Sequence, residues 1–135
     1  MLKRALTFVG IVLCVGCGSQ SRSDDDHTWR VLSDTGTFEL VLLSENGGAS
    51  VGLNTYRLLI SETMGNPKSE ITIEIEPWMP GHNHGSDRRP AITLAEHGEY
   101  TVDSVSYTMP GFWVLRTQIQ ANDFQDTAVF EVDVR

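Results

Sequence analysis

Ser69-Glu70-Ile71-Thr72-Ile73-Glu74-Ile75-Glu76-Pro77 decides the fold. Isoleucine recurs at every second position, and Glu70, Thr72, Glu74 and Glu76 fill the places between. Successive side chains of a strand point to opposite faces, so this period of two predicts one buried and one wet face. An antiparallel sheet covered on one side allows that arrangement.

The alternation repeats on both sides of this stretch. Residues 38–44 read as a more hydrophobic strand, Phe-Glu-Leu-Val-Leu-Leu-Ser. Residues 54–61 set Tyr56, Leu58 and Ile60 against Arg57 and Ser61. Residues 92–95 form a short strand. Tyr100 and Val102 fall out of phase with Val105 and Tyr107, which predicts a β-bulge or a short break at Asp103-Ser104. Residues 112–121 alternate Trp113, Leu115 and Ile119 against Phe112, Val114 and Arg116, and Ala128, Phe130, Val132 and Val134 line one face of the last strand. Turn residues separate the runs: Asp34-Thr35-Gly36, Asn46-Gly47-Gly48, Met64-Gly65-Asn66-Pro67, His97-Gly98 and Asn122-Asp123. No segment carries a helical period. The pattern predicts an all-β, immunoglobulin-like antiparallel β-sandwich of seven to eight strands over residues 29–135.

The N-terminus predicts export. Met1-Leu2-Lys3-Arg4 is basic, residues 5–15 are mainly apolar, and Gly16-Cys17-Gly18-Ser19 follows. The Val15-Gly16-Cys17 junction resembles a bacterial lipobox, with Cys14 where that motif usually carries Leu. The resemblance implies a lipoprotein signal over 1–16 and acylation, palmitate included, at Cys17. Ordinary signal cleavage to a secreted protein is one alternative, and a retained N-terminal anchor, disfavoured by the short apolar run, is another. Residues 17–28 form the lipidated cysteine and a flexible linker; 18–26 hold no apolar residue. A lipid chain would hold the domain in the cell envelope, at the outer membrane or the outer face of the cytoplasmic membrane.

The full chain carries a net charge of −8, and loss of Lys3 and Arg4 with residues 1–16 leaves −10. That balance argues against nucleic acid and anionic membrane surfaces as partners, and is compatible with holding cations. Both cysteines, Cys14 and Cys17, precede the domain, so it folds without a disulfide and any soft metal ligand in it is methionine.

Two Met-Pro-Gly tripeptides interrupt the strands: Trp78-Met79-Pro80-Gly81-His82-Asn83-His84-Gly85 and Tyr107-Thr108-Met109-Pro110-Gly111-Phe112-Trp113. Pro77, Pro80 and Pro90 are expected to end the isoleucine strand and open a loop, because proline cannot donate to a sheet ladder. On extended backbone His82 and His84 would share a side, and Gly81 and Gly85 would let the loop present both rings. Thioethers select Cu(I) and imidazole suits copper, zinc and nickel. His82, His84, Met79 and Met109 are therefore the candidate ligands, with copper as the candidate cofactor, provided both turns lie at one end of the sandwich. Met64 is a weaker third thioether. The bland alternatives are a solvated His-x-His loop, methionines plugging the core, and Trp78 and Trp113 packing at core or rim.

These residues, with Pro90, Gly98-Glu99-Tyr100 and the strands between, resemble the YtkA-like domain of exported bacterial proteins. The likeness spans roughly residues 38–134. It implies an immunoglobulin-like domain on a lipid or membrane anchor, with no known catalytic activity. Related FixH-like proteins are linked to oxidase assembly and copper handling. The chain holds no nucleophile paired with a base, no carboxylate pair at a telling spacing and no phosphate loop, so it is not read as an enzyme. Two readings remain open: a tethered module that binds or delivers copper, with a protein partner in metal delivery or envelope assembly, or a structural or protein-interaction domain without metal.

Overall fold

A computed structural model describes residues 27–64, 71–96, 98–122 and 124–135. The expected signal (1–16), the expected lipidation site Cys17, the expected linker as far as residue 26, and His97 lie outside the described residues. Among the described residues nine strands run β1 (Thr28–Leu32), β2 (Phe38–Ser44), β3 (Gly52–Glu62), β4 (Ile71–Met79), β5 (His84–Gly85), β6 (Ala91–Glu96), β7 (Glu99–Tyr107), β8 (Gly111–Ala121) and β9 (Phe124–Val134). They form two antiparallel sheets, ordered β1-β2-β3-β7-β6 and β5-β4-β8-β9. The β-sandwich is thus as expected, with one strand more than the count predicted. β1 and β5 are not among the runs read above; β5 is two residues that no alternation could announce. Thr28, assigned to the linker, already pairs with Leu43.

The isoleucine stretch behaves as its pattern requires. Ile73 and Ile75 are buried, Thr72, Glu74 and Glu76 are exposed, and Ile71 packs partly buried against the core. Beside them on the same face lie Trp113, Leu115 and Ile119 of β8 and Phe130 and Val132 of β9, and the other sheet contributes Leu40, Leu42, Tyr56, Leu58 and Val102 to the same core. Each large aliphatic side chain taken from water contributes roughly 1.5–3 kcal/mol, and this burial holds the domain without a disulfide.

The phase slip in β7 is a bulge. Asn54 pairs with Val105 but Tyr56 with Val102, so β7 carries one more residue than β3. Ser104 takes φ 60°, and the Asp103 carboxylate accepts its N–H at 2.7 Å and the Thr55 hydroxyl at 2.8 Å. At the β8–β9 hairpin Ala121 pairs with Phe124, and Asn122 opens the two-residue turn at φ 51°.

One expectation fails. Pro77 does not end its strand: β4 continues to Met79, with Pro77 opposite Leu115 and Trp78 opposite Val114. The Pro77 carbonyl accepts the Ser86 N–H at 3.1 Å, away from β8. The nitrogen of a strand residue points the same way as its carbonyl. The missing N–H therefore faces the sheet edge, where proline is tolerated.

Candidate functional site

Both Met-Pro-Gly turns lie at one end of the sandwich. β4 runs towards that end and β8 leaves from it, and a Cβ built on Gly111 would stand 2.8 Å from Met79 Cε. The methyl of the first turn's methionine therefore occupies the space that the second turn's glycine leaves open. Gly111 adopts φ +130°, a region that side chains avoid, so backbone and packing both call for glycine there. Gly81 has nothing within 4 Å of an added Cβ, and its φ is not in that region. Gly85 does have a packing role: its Cβ would meet the Pro77 carbonyl at 3.3 Å and the Trp78 ring at 3.4 Å.

The histidines come together by a route other than the extended one. Pro80–His82 is a single 3-10 turn, Asn83 takes the left-handed conformation at φ 53°, and His84 begins β5. The imidazole centroids of His82 and His84 are 5.9 Å apart, with planes at 60°. His82 is exposed and His84 half-buried.

His84 pairs directly with Met79 across β5 and β4. Directly opposed residues share a face, with Cβ atoms about 4.5–5.5 Å apart. One step beyond the Trp78–Val114 pair, the same register brings Met79 alongside Trp113. A row therefore crosses the inner face: His84, Met79, Trp113. The His84 ring meets Trp113 edge-on at 5.7 Å, and Trp113 meets Tyr107 at 5.3 Å. The Trp113 indole N–H donates to the Met109 carbonyl at 3.1 Å, which ties the second turn to this row. Met109 packs partly buried against the core, and Met79 is 5% exposed.

Hydrogen bonding fixes which nitrogen of the His84 ring is left over. His84 Nδ1 lies 3.0 Å from the Gly85 carbonyl. A carbonyl only accepts, so Nδ1 carries the hydrogen and the lone pair of the neutral ring sits on Nε2. Metal-binding histidines are commonly oriented by a contact of this kind. The nearby phenols offer no anionic oxygen at neutral pH. Burial pushes Tyr56 up to about 12 against the lowering effect of its hydrogen bond with Tyr107, and burial raises Tyr107 as well. Their hydroxyls bond each other at 3.1 Å.

Other candidates fall away. Met64 is 96% exposed and follows β3 at the end opposite to Gly52, which pairs with Tyr107 beside the second turn. Trp78 faces outward from the second sheet, with Arg116 Cζ 4.4 Å from its ring centroid. Its cation–π partner is a guanidinium. Among the described residues no group of three or more His, Cys, Asp or Glu side chains is arranged to hold a metal ion. A site at this end thus depends on thioethers completing the two imidazoles.

Comparison with known proteins returns nothing: no protein-family model matches the chain, and no curated protein or solved structure matches it.

Proposed function

We propose that the chain is a membrane-tethered, exported β-sandwich module that binds Cu(I) at this end and hands it to a partner in the cell envelope. His82, His84, Met79 and Met109 are its ligands. The observation that carries the reading is the junction of the two turns: imidazoles 5.9 Å apart, one of them opposite Met79, beside a second methionine tied in through Trp113. Two imidazoles and two thioethers, with no thiolate, suit Cu(I) better than structural zinc. The exposed His82 gives an incoming ion a first contact, and a half-buried His84 leaves a route for release. The YtkA-like resemblance and the lipobox support the same reading for the tether and the compartment.

One observation favours a second reading, an interaction domain without metal. Met79 is buried and seated on Gly111, as a core-filling methionine would be. A Cu(I) titration of the detergent-purified full chain against a competing chelator, beside the His82→Ala/His84→Ala variant, separates the two. The copper reading expects binding tighter than about micromolar in the parent chain and at least a tenfold loss in the variant. Equal binding by both, or none by either, leaves the interaction domain.

A further inference from the structure

We infer that Trp113 is the positioning residue of this end and the wall against which the ion sits. The inference rests on the copper reading above and adds a residue outside its ligand set. Trp113 is wholly buried, and packing alone would account for a buried indole whose N–H has found an acceptor. Two features go further. The acceptor is the backbone carbonyl of Met109, a candidate ligand, four residues back along the chain. The ring that meets the indole at the rim is His84, another candidate ligand, at 5.7 Å and 75°.

Neither contact belongs to the sheet ladder. Together they fix the second turn and the His84 ring relative to each other through one rigid side chain. The Gly85 carbonyl holds the imidazole from one side and Trp113 limits it from another, so the ring has few orientations left. Met109 carries its partly buried thioether on a backbone held by the indole hydrogen bond. The indole is electron-rich and, wholly buried, excludes water, and a ring of that kind attracts a soft monovalent cation stripped of water. A hydrated divalent ion gains less there, because leaving its water costs more.

The test uses Ag(I), a redox-inert stand-in for Cu(I), on the detergent-purified full chain. In a Trp29→Phe/Trp78→Phe variant the tryptophan emission, excited beyond the tyrosine absorption band, comes from Trp113 alone. Ag(I) is expected to quench at least half of that emission and to shift the Trp113 indole N–H resonance, whereas Zn(II) at the same concentration does neither. Trp113→Phe keeps much of the ring's bulk but removes the donor, and should weaken Ag(I) at least tenfold. Binding by the parent chain with Trp113 emission and resonance unchanged overturns the inference and leaves the copper reading intact. So does a Trp113→Phe variant that binds within twofold of the parent. Absence of Ag(I) and Cu(I) binding in the parent chain overturns both. Should Trp113→Phe not fold, the single-tryptophan variant decides alone.

Discussion

The two ends of the sandwich treat their polar groups in opposite ways. At the end holding Asp126, both oxygens of its buried carboxylate are used within the protein. The buried Asp126 carboxylate accepts the Thr35 N–H at 3.3 Å, the Thr35 hydroxyl and the Thr127 N–H at 2.9 Å. Asp34 and Thr127 are joined through the Asp34 N–H to the Thr127 carbonyl at 2.8 Å and through their side chains. At the other end the apolar parts are equally well packed, but nitrogen lone pairs are left over. His82 makes no hydrogen bond among the described residues, and His84 uses one nitrogen only. The Asp126 carboxylate, fully engaged, is a structural acceptor. The comparison separates a structural end from one whose chemistry is unfinished inside the chain.

The contrast can be broken by substitution. Met79→Ala should have the largest effect, because it empties a buried site above Gly111: about 3 kcal/mol of stability lost in urea unfolding. Loss under 1 kcal/mol would mean that the thioether is not a packed element. Asp126→Ala should cost about 2 kcal/mol by leaving its hydroxyl and amide donors without an acceptor.

The same carboxylate gives its end a pH signature. Burial acts to raise Asp126, but hydrogen bonds from Ser33, Thr35 and Thr127 outweigh it and hold the group below its ordinary value. A depressed folded value stabilises the native state above the unfolded value, near 3.9, and that contribution disappears as pH falls through the lower folded one. Urea midpoints at pH 7 and at pH 3 should therefore differ less in Asp126→Ala than in the parent chain. Equal slopes would contradict the assignment.

Gly111→Ala should cost about 1.5 kcal/mol or more, from a left-handed φ and a methyl against Met79, while Gly81→Ala should fall within about 0.5 kcal/mol of the parent. Two glycines in identical tripeptides would then be shown to differ in role. Least of all, His82→Ala/His84→Ala should change stability by under about 1 kcal/mol, since one ring is exposed and the other half so. A larger loss would make the histidines part of the scaffold.

Much of the scaffold was legible because burial on one face imposes a period of two. Ile73, Ile75, Leu115 and Phe130 declare their face, and the slip at Asp103-Ser104 betrays the bulge. The limits lie where backbone direction matters more than polarity. Pro77 reads as a strand breaker, yet its missing N–H points to the edge and the ladder continues. His82-Asn83-His84 reads as extended, yet Asn83 turns left-handed and brings the rings together by another path. The His84–Met79–Trp113 row could not be read at all, since it depends on the register of three strands that a linear sequence does not align. The four-residue spacing from Met109 to Trp113 was the one local hint, and its meaning appears only once the indole is seen to close that turn.

The central claim is that imidazole and thioether groups from two turns, 30 positions apart at Met79 and Met109, bind one ion. X-ray absorption on the Cu(I)-loaded full chain addresses it most directly. The account predicts a first shell of nitrogen and sulfur scatterers that loses sulfur in Met109→Leu and nitrogen in His84→Ala. A shell of nitrogen and oxygen alone, unchanged by either substitution, would contradict it.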